Sequence, residues 1–342
     1  MQAALVTGKG RVELLEFAEP RPGEGQAVVR IALCGICGTD VHAYQSGRPY
    51  NPAICGHEWT GTVTAVGPGV THLREGDRVV SGISPACGSC PSCRAGDAAR
   101  CSTAFLSIVG GPAAAPHGGF APAIAAPASR LFPIPASLSD VEAALVEPLT
   151  VALHAVRRTP LRLGDTVVVL GAGPIGLLTM QCANASGART IVIEPQPNRA
   201  RMARQTGAAL VLDPRADDVA SAIAAETGGL GPNVVFECAG IPPTIQQAVD
   251  IVRRGGWVTL VGLAEGDATI TPGTWLSKEV TFRGAVAYLH DEFNIAIRLI
   301  ANRRVDVAPL HTATYPLAQA GDAFAALDRD KSQVKVLIDP QA

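Results

Sequence analysis

Four thiols crowded into one short segment set the first chemical constraint. In Cys87-Gly-Ser-Cys90-Pro-Ser-Cys93-Arg-Ala-Gly-Asp-Ala-Ala-Arg-Cys101, three cysteines recur at C-x2-C spacing and a fourth follows a short loop. Four thiolates surround one tetrahedral zinc ion at about 2.3 Å, and a closed sulfur site pins a segment too short and too polar to build its own core. Because such a site keeps no open position, its role is structural. A redox pair or unrelated free thiols are the competing readings, and four cysteines in register weigh against both.

A second set of ligand-type residues lies in Cys34-Gly-Ile-Cys37-Gly38-Thr39-Asp40-Val-His42 and Gly56-His57-Glu58. Each segment alone is a weak signal, since Cys34 and Cys37 could be a redox pair and a lone His beside Glu is more often surface or core detail. Together they could supply a metal with an exchangeable position: Cys37 and His57 hold the ion, a carboxylate from Glu58 or Glu147 joins them, and water or substrate completes the set. An ion so held lowers the pKa of a bound hydroxyl, and the released proton needs a path out. Thr39 and His42, close to Cys37 in sequence, could form that relay.

The third constellation is Gly171-Ala-Gly173-Pro174-Ile175-Gly176, a GxGxxG directly after the apolar run Thr166-Val-Val-Val-Leu170. In that context the first glycine makes the turn, the second admits a pyrophosphate to the backbone, and the third allows close helix–strand packing. At the end of the next apolar run, Glu194 stands where a carboxylate would accept from both ribose hydroxyls and repel a 2′-phosphate, which favours NAD over NADP. Arg199 and Arg201 follow and could moderate that repulsion, or could be solvated helix charges.

The elements that must position these groups change character along the chain. Short β-branched runs at 27–33, 60–66 and 77–80, broken by Gly and Pro, make the first part mostly β. After Pro148, strand candidates at 166–170, 190–194, 209–212, 233–237 and 256–261 alternate with helix-length segments, the pattern of a doubly wound α/β domain. Beyond Val280 come another strand, a helix through 293–300, and a Val334–Ile338 run that could return to the first domain. Residues 112–116 read as surface loop. The expected division is 1–152, 153–283 and 284–342.

A chain of 342 residues is comfortable for two domains, and 47% hydrophobic with 17% charged residues is the balance of a soluble globular protein. A net charge of −2 with scattered Lys and Arg argues against nucleic acid as a partner. Without a long apolar run there is no membrane span to expect, and without a basic-then-apolar leader the expected compartment is the cytoplasm.

Taken in order, Gly35–His42, Gly56-His57-Glu58, Gly76-Asp77-Arg78-Val79, the cysteine lobe, Glu147-Pro148-Leu149 and Gly171–Gly176 make the chain resemble the zinc-containing medium-chain dehydrogenase family over essentially its whole length. The resemblance implies a GroES-like, mostly-β catalytic domain built from both chain ends around an inserted Rossmann domain with a doubly wound parallel sheet. It implies catalytic and structural Zn²⁺, NAD, and a homodimer or homotetramer. It further implies Cys37 and His57 as catalytic zinc ligands, Glu58 as the carboxylate of the sorbitol-dehydrogenase-like branch, and Glu147 at the position that holds or orients zinc-bound water. Asp40 would sit behind His57, and Thr39 would receive the substrate proton.

Within the family, Glu147–Ala155 is similar to the polyol branch, which points to oxidation of a secondary hydroxyl to a ketone. Tyr288-Leu289 departs from the Arg-Tyr pair that anchors polyols, and Ala121-Pro122 breaks the usual sequence after Phe120, so sorbitol itself is not implied. The stretch Ala287–Phe293 looks closer to butanediol-type enzymes. Tyr44, Trp59, Phe105, His117 and Tyr288 are candidates for the substrate pocket. A threonine-3-dehydrogenase-like activity and a non-catalytic NAD-binding protein of the same fold are the alternatives.

Overall fold

In the computed structural model, which describes residues 1–109 and 115–342, the chain divides into two units. The first comprises Met1–Glu147, Leu289–Ala301 and His311–Ala342; the second comprises Pro148–Tyr288 and Asn302–Leu310. Part of the expected 112–116 loop lies outside the described residues. Among the described residues, no helix is long and apolar enough to cross a membrane.

The first unit begins with a hairpin, β1 (Gln2–Gly8) against β2 (Arg11–Glu16), and continues with β3 (Gln26–Gly35), β4 (Glu58–Val66), β5 (Arg78–Ser81), β6 (Ala123–Pro127) and β7 (Leu131–Pro133). Strand β3 pairs antiparallel with β4 along one edge. Its other edge takes β6 at Gln26–Arg30 and a strand from the end of the chain at Cys34–Gly35. The core under this sheet joins Val29, Ile31, Trp59 and Val79 to Phe120, Phe324 and Val336. The unit is not all β: the helices Gly38–Ser46 and Asp140–Ala144 fall within its first half.

The second unit is built on β8 (Thr166–Leu170), β9 (Arg189–Ile193), β10 (Leu210–Leu212), β11 (Val234–Glu237), β12 (Trp257–Leu260) and β13 (Thr281–Gly284). All adjacent pairs are parallel, in the order β10-β9-β8-β11-β12-β13. This is the doubly wound order 3-2-1-4-5-6, whose strand order reverses between β8 and β11; ligands of such sheets bind outside the carboxyl ends of the strands at that reversal. Val168, Ile191, Val235 and Val258 form its apolar centre, as expected for strands covered on both faces.

The chain then returns to the first unit through β14 (His311–Pro316) and β15 (Lys335–Asp339). These two run parallel to each other, and β15 pairs antiparallel with β3, Leu337 opposite Gly35 and Ile338 opposite Cys34.

Candidate metal centres and dinucleotide site

Cys37 caps the helix Gly38–Ser46. Its sulfur accepts from the Thr39 amide at 3.5 Å, and Asp40 reaches back to the Cys37 amide at 2.9 Å, completing a capping box. Thr39 brings its hydroxyl within 3.6 Å of the same sulfur.

His57 is delivered by a turn at Gly56, whose φ of +76° favours glycine and where a Cβ would lie 2.8 Å from the Phe120 ring. The Nδ1 atom of His57 is 2.8 Å from the Ile54 carbonyl, which leaves Nε2 for a metal. Asp40, fully buried, accepts from the Cys37 amide, from the Tyr50 hydroxyl at 2.8 Å and from the Gly56 amide at 3.2 Å. It thereby ties together the two loops that carry Cys37 and His57. Burial pushes the Asp40 carboxyl above the usual range, against the pull of His57 and these three donors.

Glu58 opens β4 directly opposite Gly35, where a Cβ would lie 2.3 Å from the Glu58 carboxylate and push it from its place. One ligand atom each from Cys37, His57 and Glu58 lie within 4.8 Å of one another. A tetrahedral zinc with bonds of about 2.0–2.3 Å needs separations near 3.5 Å, so thiolate, imidazole and carboxylate require only a small closure to bind the ion. Glu147, buried in the first turn of the helix Val146–Arg157, is outside this trio but close enough for its charge to act on His57. Burial opposes protonation of His57, and Cys37, Asp40 and Glu147 outweigh it, holding the imidazole well above its ordinary pKa. The same anionic field is what a divalent cation would neutralise.

Sequence reasoning overlooked Lys335. This lysine of β15 is 2% exposed, and its Nζ lies 2.5 Å from Glu58 Oε2 and 3.0 Å from the Ile36 carbonyl. Burial opposes the charge on Lys335, while Glu58, Cys37 and Glu147 sustain it and raise its pKa. A lysine inside the apolar run Val334–Ile338 was the available signal, because a buried ammonium demands an anion.

In the cysteine lobe the sulfurs of Cys87, Cys90, Cys93 and Cys101 also converge within 4.8 Å. The Cys87 and Ala104 amides donate to Cys101 Sγ, and the Cys90 amide donates to Cys87 Sγ, each at 3.3 Å. Hydroxyl donors Thr103 and Ser89, helped by backbone amides, pull the Cys87 thiol down to about 5, and backbone donors bring Cys90 to about 7. Cys93 moves the other way, pushed up to about 12 by burial and the neighbouring Cys90, so the cation itself must complete the thiolate set; the all-sulfur donor set fits a closed zinc site.

In the second unit, the turn after β8 has the form a dinucleotide needs. Gly171, at φ +89°, packs against Ala239 with no room for a Cβ, and a Cβ on Gly176 would lie 1.9 Å from the Gly171 carbonyl. Gly173 differs: it caps the helix Pro174–Ala185, and a Cβ there would meet nothing nearer than the Arg199 guanidinium at 4.0 Å. Open space beside first-turn N–H groups is a cradle for a pyrophosphate. Pro174 and Ile175 open the helix, where a missing N–H on Pro174 does no harm.

Glu194, just past β9, is 4% exposed and accepts from the Ala172 amide and the Gln196 amide, both at 2.7 Å. Each carboxylate oxygen is therefore anchored by one backbone donor and keeps capacity for a ligand hydroxyl. Of the pocket candidates, Trp59 is buried in the core, Tyr44 packs on Phe324 at 5.5 Å, and His117 packs on Phe17 at 5.0 Å with Nδ1 at 2.9 Å from the Gly118 carbonyl. Phe105 is exposed, and Tyr288 is buried in the second unit.

Residues 23–136 match the alcohol dehydrogenase GroES-like domain, and residues 174–302 match the zinc-binding dehydrogenase domain. The chain is 34% identical to 2-dehydro-3-deoxy-L-galactonate 5-dehydrogenase of Pseudoalteromonas atlantica, covering 100% of this chain and 99% of the relative. It is also 34% identical to (R,R)-butanediol dehydrogenase of Bacillus subtilis, covering 99% and 100%. A crystal structure of an Escherichia coli protein described as a short chain alcohol dehydrogenase, complexed with NADH, superposes with a TM-score of 0.86 at 27% identity over 99% of both chains.

Proposed function

The chain belongs to the zinc-containing medium-chain dehydrogenase family, in its sorbitol and butanediol dehydrogenase branch, and we propose that it interconverts a secondary alcohol of a diol, polyol or sugar-acid chain and its ketone, using NAD. The observation that carries this reading is the convergence of Cys37, His57 and Glu58 in a family whose relatives act on such hydroxyls.

When bound, zinc supplies the Lewis acidity that makes an alcohol hydroxyl acidic near neutrality, and NAD supplies the hydride acceptor. The protein contributes position and proton transfer. Cys37 and His57 would hold the ion with Glu58 as third ligand, and Glu147 would add its charge beside them. Thr39, 3.6 Å from the Cys37 sulfur, takes the substrate proton. His42 lies three residues on in the same helix, hence on the same face, and relays it outward. Gly171, Gly173, Pro174, Ile175 and Gly176 receive the pyrophosphate, Glu194 accepts from the ribose, and Arg199 borders the cradle. The Cys87, Cys90, Cys93 and Cys101 site holds a structural zinc.

The protein is further proposed to work in the cytoplasm, whose reducing environment suits nine free thiols. A homodimer or homotetramer is supported by β13, an edge strand of its sheet near exposed Leu276 and Val286. Light scattering tests the assembly. The decisive experiment for function measures bound zinc, then follows NADH formation against diols, polyols, aldonic acids, 3-hydroxy amino acids and primary alcohols. Turnover is expected with a vicinal diol, polyol or aldonate; full turnover by a zinc-free Cys37→Ala protein would refute the mechanism.

A further inference from the structure

The sheet reversal between β8 and β11 places the end of β11 beside the glycine turn, and the residue there is Glu237. It is fully buried. Its side-chain Oε1 accepts from the Ala239 amide at 2.9 Å, the Gly240 amide at 2.9 Å and the Thr244 hydroxyl at 2.7 Å. Its backbone carbonyl accepts from the Val261 and Gly262 amides, each at 2.8 Å. One residue thus fixes two loops, 238–241 after β11 and 261–263 after β12, both at the carboxyl edge where such sheets bind their ligands.

The first of these loops is the wall of the dinucleotide turn. The Cys238 amide donates to the Leu170 carbonyl at 2.9 Å, and Ala239 lies against Gly171 so closely that a Cβ on the glycine would meet Ala239 Cα at 2.9 Å. The second loop is equally tight, since a Cβ on Gly262 would fall 2.4 Å from the Gly240 amide and 2.9 Å from Glu237 Oε2. Any shift of the Glu237 carboxyl therefore moves Ala239 and, through it, Gly171.

The fold gains little from this residue by burial alone. Among the described residues Glu237 Oε2 is buried with no hydrogen-bond partner, and such an atom carries a desolvation penalty that an apolar side chain of similar size would not. Burial accordingly raises the carboxyl pKa against the pull of its three donors. A carboxyl kept in so unfavourable a place is explained by the geometry it imposes.

We propose that Glu237 is a positioning residue of the dinucleotide site, whose buried carboxyl holds the loop at 238–241 so that the Gly171 turn against it is preformed for the pyrophosphate. This rests on the dinucleotide reading of the second unit. A misplacement of about 1 Å is enough to cost up to about a hundredfold in a preorganised site, so the effect is readable as affinity.

The test compares wild type, Glu237→Gln, Glu237→Asp and Glu237→Ala as full-length zinc-loaded proteins, measuring the Kd for NADH by fluorescence titration, KM for NAD and for alcohol, and zinc content. Gln keeps an Oε1 for the same three donors and is expected within about threefold of wild-type Kd, whereas Asp is one methylene short and Ala lacks the group, and both are expected to weaken NADH by about tenfold or more. KM for alcohol at saturating NAD and zinc content are expected to stay unchanged, which a general loss of structure would not allow. Should the Ala variant fail to fold, the Asp variant decides. Folded Asp or Ala variants that bind NADH as wild type does would overturn the inference alone, while a wild type that binds no dinucleotide would defeat the functional reading beneath it.

Discussion

Replacing Lys335 with Met separates what Glu58 does in the presence of zinc from what it does without it. Met keeps the unbranched stem and removes the ammonium, so the metal-free protein would hold Glu58, 1% exposed, without the hydrogen-bonded cation that pairs with it. Breaking a buried pair from one side costs about 3–5 kcal/mol. If Glu58 ligates zinc, the dication replaces the lost ammonium, and the loaded protein loses little beyond the bond to the Ile36 carbonyl, about 1 kcal/mol. The difference, about 2–4 kcal/mol, appears by linkage as zinc held about 30- to 700-fold more tightly in the variant.

Urea unfolding of stripped and loaded protein reads this directly. In a Trp257→Phe, Trp275→Phe background, buried Trp59, the neighbour of Glu58 on β4, is the remaining tryptophan and reports on the unit that holds the site. Stripping also empties the cysteine lobe, but it does so equally in the Lys335→Met variant and in the protein that keeps the lysine, so their comparison isolates the pair. Lys335→Arg is expected to behave as wild type. Equal destabilisation of the stripped and loaded forms would refute Glu58 as a zinc ligand and leave Glu147 as the carboxylate to examine.

Other consequences are as direct. Gly173→Ala places a methyl in space that the protein leaves open, so its stability is expected within about 0.5 kcal/mol of wild type while NADH binds at least about tenfold more weakly; calorimetry and fluorescence titration check both. Cys101→Ser is expected to remove one zinc per chain and open the 87–101 lobe to limited proteolysis, with NADH affinity of the second unit retained; a protease-resistant lobe would count against structural zinc. His117 is held below its ordinary value near 6.5 by burial, against the pull of the Gly118 carbonyl, so the unfolded chain binds a proton that the folded one resists. Its contribution is therefore complete above about pH 6.5 and declines as pH falls through that value, and stability of His117→Phe should depend less on pH in this window.

How much of this was legible in the sequence follows from how local the physics is. The Thr166–Leu170 strand is legible because a parallel strand covered on both faces must be apolar throughout, and the glycine spacing behind it is fixed by a single turn. The hairpin of β1 and β2 is not, since Arg11–Glu16 is largely exposed and carries little apolar alternation. At the metal site, chain-local spacing marks Cys37, His57 and Glu58, while Tyr50 as a donor to Asp40 depends on how the 47–56 loop folds back. Glu237 reads in sequence as the polar end of a buried strand, and its role emerges only from the two loops that converge on it.

Lys335 illustrates the long-range part. It is separated from Glu58 by 277 residues, and the two meet only because β15 pairs with β3 at Cys34 and Gly35, the same stretch of β3 that faces Glu58 on β4. The countercharge of the site therefore arrives with the last strand. Before β15 docks, Glu58 can remain hydrated; once it docks, carboxylate and ammonium are desolvated together, and neither is tolerable alone. The register of β15 is held by this pairing, because its residues Lys335–Ile338 are buried without alternation and a slip of one residue would turn Lys335 away from Glu58 and leave the pair broken. The site is thus completed only when the returning strand reaches β3 in that one register.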